Sequence, residues 1–160
     1  MLPNLPTPAT GTIDDLAKAM LPGTEEEFAS AFAVNCTAAY YASVLFLPLL
    51  EEGNRRRWAR AHPEAAKASV NGNGIASFSG KEREANPTSH IITVASGGGF
   101  RKDDHVFSVS YTLSKAAAIH LGKLLAGFLK DWQIRSNVVC PGFFPSGVFF
   151  ACFESPDGIG

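Results

Sequence analysis

The sequence predicts an α/β protein built around one strand–helix–strand unit. Two short β-branched runs, residues 90–95 and 133–140, each end at serine, glycine or proline, which is typical of buried strands. Between them, residues 109–130 carry apolar side chains at helical spacing. In a common sheet such a unit has parallel strands and a right-handed crossover. We therefore expect the carboxyl ends of both strands to meet at one edge, where ligands bind in such sheets.

Size and composition are those of about one ordinary globular domain. The 160 residues are 46% hydrophobic and 18% charged, with a net charge of −1. This balance has no basic footprint, so it argues against a nucleic-acid partner. The cysteines Cys36, Cys140 and Cys152 lack metal-ligand spacing and cannot all pair. We expect a reducing, cytoplasmic location and no metal site.

The N-terminal part begins with a turn-rich lead-in over residues 1–23, with about one helical turn near Asp14 to Met20. Thr24 followed by Glu27 is a capping box, which predicts that a long helix begins directly after it. We expect this helix to run to about Glu52 and Pro48 to bend it or end it early.

Residues 28–50 of that helix contain no charged residue, and three arginines follow at 55–57. Length and flanking charge fit a membrane span. Alanine is the commonest residue of the run, however, and Ser30, Asn35 and Pro48 gain little from lipid. An all-apolar helix is also what a buried inter-subunit helix looks like, and this is the interpretation we prefer.

Residues 53–89 change to polar, arginine-rich and Asn-Gly-rich sequence. We interpret them as an inserted surface loop. The three glycines after Ser96 are interpreted as loop flexibility, because no helix is predicted directly behind them.

Tyr111 and Lys115 open the second helix and carry the most specific chemistry in the chain. Residues four apart share a helix face, so the phenol and the ammonium are expected to lie together. A nearby cation favours the phenolate, which suits a tyrosine that exchanges protons near neutral pH. Alone, this four-residue spacing is a weak signal.

The pattern becomes specific when Asn35 in a helix, Ser96 ending a strand, and Pro141-Gly142 ending the next strand are added in chain order. With these residues the chain resembles the short-chain dehydrogenase/reductase family, and is similar to 3-oxoacyl-carrier-protein reductases of fungi and bacteria. The resemblance covers about residues 24–148. The strings that carry it are Phe32-Ala33-Val34-Asn35, Ile91-Ile92-Thr93-Val94-Ala95-Ser96, Tyr111-Thr112-Leu113-Ser114-Lys115 and Asn137-Val138-Val139-Cys140-Pro141-Gly142-Phe143-Phe144-Pro145-Ser146.

The resemblance implies roles for four residues as catalytic groups. Tyr111 would be the general acid/base that exchanges a proton with the oxygen of a carbonyl or alcohol substrate. Ser96 would hydrogen-bond the same oxygen, and Lys115 would assist Tyr111 electrostatically. Asn35 would hold a water in a proton relay that runs toward Lys115.

The resemblance also implies a nicotinamide cofactor, NADP or NAD, with NADP slightly favoured. Lys115 would hold the ribose hydroxyls beside Tyr111, and Pro141 and Gly142 would line the nicotinamide. Ser146 stands where the family often has a threonine that binds the carboxamide.

The implied fold is a partial Rossmann-like, doubly wound one that keeps the catalytic strand–helix–strand half and lacks the N-terminal strands. No Thr-Gly-x-x-x-Gly-x-Gly loop is present, so we expect these residues alone not to hold the cofactor. The expected organisation is a lead-in at 1–23, a partial catalytic domain at 24–148, and a truncated tail at 149–160.

The implied function is an NAD(P)-dependent oxidoreductase that interconverts a carbonyl and an alcohol by hydride transfer on a small-molecule substrate. The alternative is an inactive remnant that acts as a dimerisation module. In the family, helices corresponding to 24–52 and 109–130 form the main dimer interface, so a homo-oligomer is expected.

Overall fold

The computed structural model describes residues 5–21, 23–64, 66, 88–102 and 108–142. Four α-helices and two strands make up most of these ranges, together with one π-helical turn and two short 3-10 helices. In chain order they are α1 (Ile13–Met20), α2 (Glu25–Phe32), the π turn (Ala33–Thr37), α3 (Ala38–Ala61), β1 (His90–Val94), a 3-10 helix (Gly97–Phe100), α4 (Val109–Leu129), a second 3-10 helix (Lys130–Trp132) and β2 (Arg135–Val139).

The predicted parallel strand–helix–strand unit is confirmed. β1 and β2 pair in parallel, with His90 opposite Arg135 and Val94 opposite Val139. Both strands are one or two residues shorter at their ends than the sequence pattern predicted. Since the strands run in the same direction, their carboxyl ends meet at one edge, and α4 begins near it.

Helix α4 covers one face of this two-stranded sheet. The pleat turns every second side chain of each strand toward α4. The helix comes closest at Gly122, where a Cβ atom would collide with the Val138 side chain. Two small buried clusters form the core between helix and sheet: Ala95, Ala118 and Ile119 near the carboxyl ends, and Leu125, Leu129 and Ile134 at the opposite end.

The opposite face of the sheet is exposed, and it is apolar toward the carboxyl ends of the strands. Ile92, Val94 and Val139 are 58%, 62% and 48% exposed, respectively. A parallel pair is normally covered on both faces. We therefore expect this face to be covered by another part of a longer protein or by a partner.

Helix α1 is longer than the single turn predicted within the lead-in. Thr12 and Asp15 form a reciprocal capping box, in which each side chain accepts a hydrogen bond from the other residue's backbone amide. The same device, predicted for Thr24 and Glu27, is present at the start of α2. Two capped starts in succession explain why the segment before residue 24 forms a helix of its own.

The first long helix does not end near Glu52, and the predicted inserted loop does not begin at Gly53. Helix α3 continues through Pro48 to Ala61. The Glu52 carboxylate binds the Arg55 and Arg56 guanidiniums at 2.7 and 2.6 Å, and these bonds lower the pKa of Glu52 to about 2. Arg55 and Arg56, which were predicted to lie in a loop, therefore belong to the helix, and they support it by binding a carboxylate one turn earlier. Most of the remaining insertion lies outside the described residues.

The continuous helix Glu25–Ala61 is long and apolar enough to cross a membrane by length and composition. Its hydrogen bonds show where it is attached to the rest of this fold. Asn35 bonds to α4, and Asn54 bonds to the residues that precede β1 and β2. The helix is thus joined to the α/β unit at two points along its length.

Asn54 is a buried connector at the second of these points. Its Oδ1 accepts from the Ser89 backbone amide at 2.6 Å, and its Nδ2 donates to the Gln133 carbonyl at 3.0 Å and the Trp132 carbonyl at 3.4 Å. The Ser89 hydroxyl donates to the Leu50 carbonyl at 2.8 Å. One asparagine therefore ties α3 to the entrances of both strands.

Replacing Asn54 by alanine should lower the free energy of unfolding by about 2 to 4 kcal/mol, because it leaves buried backbone groups without their partner. Chemical denaturation followed by circular dichroism measures this. Asn137 is a matched control, since its amide also makes a hydrogen bond, to His90 at 2.7 Å, but on the exposed face. Asn137→Ala should change stability by less than about 1 kcal/mol. Equal effects of the two substitutions would contradict the role of Asn54.

Candidate active site

The π turn and the first turns of α4 are held together by side-chain hydrogen bonds. Asn35 Nδ2 donates to the Ser114 hydroxyl at 2.9 Å, and Cys36 Sγ donates to the Ser114 carbonyl at 3.1 Å. Burial raises the pKa of the Cys36 thiol, and the positive charge of Lys115 opposes this shift. A protonated thiol is the form that can donate this bond. Asn35 thus bonds across to another helix.

Tyr111 and Lys115 lie on the same face of α4, as their spacing predicts. The Lys115 Nζ is 5.7 Å from the centre of the Tyr111 ring. It also donates to the Val94 carbonyl at the end of β1, at 3.3 Å. The Ser108 hydroxyl caps the helix by accepting from the Tyr111 backbone amide at 3.1 Å. The cap places the phenol in the first turn, beside the carboxyl end of the strand.

Ser96 follows β1 and caps a short helix. The three glycines after Ser96 belong to that helix and are not the flexible loop that the sequence suggested. The Ser96 hydroxyl accepts from the Gly98 amide at 3.1 Å and retains its own proton for donation. A Cβ atom on Gly98 would be 3.3 Å from Ser96 Oγ and 3.6 Å from Tyr111 Cε1. The serine hydroxyl and the edge of the phenol ring therefore flank the same small space.

The glycine helix packs directly on the backbone of α4. A Cβ atom on Gly99 would be 2.9 Å from the Ala116 amide nitrogen and 3.0 Å from the Lys115 carbonyl carbon. Only glycine permits so close an approach, because backbone atoms of a helix cannot give way. This contact fixes the distance between the end of β1 and the turn that carries Tyr111 and Lys115.

The end of β2 completes this edge of the sheet. The Ala95 amide donates to the Val139 carbonyl, and the Gly97 amide donates to the Pro141 carbonyl, both at 2.8 Å. Pairing of the two chain segments thus continues past the strands as far as the predicted site. Among the described residues, no atom outside its immediate chain neighbours lies within 4 Å of the position that a Cβ on Gly142 would take.

Among the predicted site residues, the structure brings six to this edge and leaves one undescribed. Tyr111, Lys115 and Asn35 come from helices, and Ser96, Pro141 and Gly142 follow the strands. Ser146 lies outside the described residues. These positions agree with the predicted site, whereas the role of each residue stays a prediction.

Two residues of the site were not found from the sequence. Ser114 is fully buried and links Asn35 to α4. Gly99 provides the contact between the short helix and α4. A polar residue at a buried helix position was the available signal for Ser114. No local pattern distinguishes Gly99 from its two neighbours.

Comparison with known proteins gives a family match and several curated relatives. The family described as short chain dehydrogenase matches residues 67–154. The short-chain dehydrogenase/reductase VdtF of Byssochlamys spectabilis is 37% identical over 132 residues, which are 82% of this chain and 40% of that protein. The short-chain dehydrogenase/reductase PhomF of Diaporthe leptostromiformis is 31% identical over 140 residues, 88% of this chain and 38% of that protein. The chain spans about two fifths of the length of these relatives.

The family match coincides with most of the geometric site. Residues 67–154 include Ser96, Tyr111, Lys115 and the Pro141-Gly142 pair. Asn35 lies before the matched residues, and within the fold it reaches them through Ser114.

Proposed function

This chain belongs to the short-chain dehydrogenase/reductase family, and from that premise we propose that it carries the reaction of an NAD(P)-dependent oxidoreductase that interconverts a carbonyl compound and an alcohol. The observation that supports this most is the placement of Ser96 and Tyr111 on either side of one small space, with the Lys115 ammonium close to the phenol. Two hydroxyls and a cation at one point suit a substrate oxygen on which negative charge develops.

Tyr111 is the proposed proton donor in carbonyl reduction and the acceptor in alcohol oxidation. The substrate oxygen takes the phenol proton as its carbon is reduced, and the reverse transfer accompanies oxidation. The Ser96 hydroxyl can donate a second hydrogen bond to the same oxygen, because accepting from the Gly98 amide does not use its own proton. The hydrogen bond from the Gly98 amide holds the Ser96 hydroxyl oxygen in place before substrate binds.

Lys115 supplies the positive charge of the proposed site. Its ammonium is 5.7 Å from the phenol ring and bonded to the Val94 carbonyl, so it is held near the end of β1. A cation at this distance stabilises negative charge on Tyr111 during proton transfer. The two further protons of the ammonium can bind ribose hydroxyls.

The residues that follow β2 fit a nicotinamide. The bond from the Gly97 amide to the Pro141 carbonyl fixes the backbone that is proposed to line the nicotinamide ring. When bound, the cofactor supplies or accepts the hydride. Ser146 is proposed to bind the carboxamide, and NADP is proposed over NAD.

Pairing of two copies through the long helices also stays a prediction. Large apolar side chains are exposed on both of them, among them Tyr41, Leu45 and Leu49 on α3 and Leu113 and Phe128 on α4. Such surfaces support an interface, since isolated domains rarely expose so many apolar residues together.

Removal of the Ser96 hydroxyl tests the proposed reaction. In protein expressed from its complete coding region, carbonyl-dependent oxidation of NADPH and NADH is followed by the absorbance of the reduced nicotinamide. Ser96→Ala should lower kcat by about 100-fold or more, the usual effect of losing one donor to a developing oxyanion.

Ser43→Ala is the matched control for this measurement. The Ser43 hydroxyl also bonds to a backbone oxygen, that of Ala39 at 2.8 Å, but it lies on α3 away from the strand ends. This variant should keep the wild-type rate. If Ser96→Ala were as active as Ser43→Ala, Ser96 would have no part in the reaction.

A further inference from the structure

Ser114 occupies an unusual position for a serine. It is completely buried in the interior of α4. Its hydroxyl donates to the Tyr111 carbonyl at 2.9 Å. In an α-helix that same carbonyl oxygen accepts the backbone amide of Lys115. The Ser114 hydroxyl therefore bonds to the same carbonyl oxygen that links Tyr111 to Lys115 by a helical hydrogen bond.

The same hydroxyl has a second partner outside α4. It accepts from Asn35 Nδ2 at 2.9 Å. The direction of both bonds is fixed by chemistry, because the amide nitrogen can only donate and the Tyr111 carbonyl can only accept. The result is an ordered chain of two hydrogen bonds, from Asn35 through Ser114 to Tyr111.

The π turn makes a second contact to the same residue. The Cys36 thiol donates to the Ser114 carbonyl at 3.1 Å. Two consecutive residues of one helix thus bond to the side chain and the backbone of a single serine on another. Both belong to the turn that is wound with the wider π spacing, a feature often found at functional sites.

We propose that Ser114 is a positioning residue, which sets the turn carrying Tyr111 and Lys115 against the π turn through its hydrogen bonds to Asn35 and to the Tyr111 carbonyl. The inference rests on the proposed function, because positioning has a catalytic meaning only if Tyr111 and Lys115 act on a substrate. It adds a residue that touches neither substrate nor cofactor.

The proposed role requires the serine hydroxyl as well as a small side chain at this position. Alanine would fit the buried space and favours a helix. It would, however, leave the Asn35 amide without its acceptor at a partly buried site. The first turn of α4 would then keep its Ser108 cap and the bond from Cys36 to the Ser114 carbonyl, but it would lose its side-chain link to Asn35. Small displacements of reacting groups have large kinetic effects.

The kinetic test compares Ser114→Ala with wild type in protein expressed from its complete coding region. We expect kcat to fall by about 10- to 100-fold, with KM for cofactor nearly unchanged. Asn35→Ala/Ser114→Ala should be no slower than the slower single variant, because both substitutions break the same chain. Ser114→Cys, which keeps a weak donor and acceptor, should recover part of the rate.

Stability is measured on the same variants, with Ser43→Ala as the control for losing a helix serine that bonds to its own helix. A Ser114→Ala protein that unfolds more easily but keeps the wild-type kcat would overturn the proposal, since Ser114 would then be structural only. Multiplied effects of Asn35→Ala and Ser114→Ala would overturn it too.

A spectroscopic measurement separates this inference from the proposed function. With ¹³C labelling at tyrosine Cζ, Tyr111→Phe, Tyr40→Phe and Tyr41→Phe identify the resonances of the three tyrosines in this sequence. Ser114→Ala and Asn35→Ala should each shift the Tyr111 resonance and leave those of Tyr40 and Tyr41 in place. If wild type reduces no carbonyl, the proposed function fails and these shifts alone decide whether Ser114 positions Tyr111. An unmoved Tyr111 resonance would refute the positioning role.

Discussion

Replacing Tyr111 by phenylalanine should lower the rate of carbonyl reduction by about 10²- to 10⁴-fold, the usual contribution of a positioned general acid. The substitution removes the phenol oxygen and keeps the ring, which packs beside Gly98 and below the Lys115 ammonium. Binding of cofactor should therefore be retained while proton transfer is lost. Steady-state kinetics and a separate titration of cofactor binding measure the two quantities.

Tyr40 offers the matched control. It lies on α3 with 45% of its surface exposed, and its ring contacts that of Tyr41 edge to face at 5.5 Å between centres. Tyr40→Phe loses the same oxygen and keeps the same ring contact, so it should reduce substrate at the wild-type rate. A Tyr111→Phe protein as fast as Tyr40→Phe would mean that another group supplies the proton.

Replacing Gly99 by alanine should lower the free energy of unfolding by about 1 to 3 kcal/mol, the usual cost of overpacking. The added methyl group would meet the backbone of α4 at Ala116 and Lys115. The helix cannot yield there, so the glycine helix must move away from it. That movement widens the space between Ser96 and Tyr111, and we expect kcat to fall together with stability.

Gly127 is the control for this substitution, because no described atom beyond the nearby backbone of its own helix lies within 4 Å of the position that its Cβ would take. It lies within α4, where alanine is favoured over glycine by up to about 1 kcal/mol. Gly127→Ala should thus stabilise the protein by a similar amount in chemical denaturation. A Gly99→Ala protein that is as stable as Gly127→Ala would show that the close contact at Gly99 is not required.

The parts of the fold that could be predicted from sequence are those set by local pattern. The β-branched run that begins at His90 predicts a strand. The apolar side chains at helical spacing predict α4. Parallel pairing then follows from the order strand, helix, strand. The predicted site could be assembled in the same way, since Ser96, Tyr111 and Pro141 directly follow or begin these elements.

The parts that could not be predicted depend on contacts between distant residues. Asn35 and Ser114 are 79 positions apart, and so are Asn54 and Gln133. Local preference places a break at Pro48 and a loop after it. The bonds of Asn54 to residues before both strands hold the helix beyond the proline, and tertiary contacts of this kind regularly override propensity.

The π turn at Ala33–Thr37 has a consequence for how this stretch can change in evolution. Successive residues of an α-helix are rotated by about 100° about its axis. A π turn holds one residue more than an α turn, so losing one residue here would leave a regular α-helix and turn Asn35 and Cys36 away from Ser114. Insertions and deletions are therefore the changes that we expect this stretch to tolerate least. Exposed positions such as Val34 remain open to substitution, so chain length is more constrained than composition.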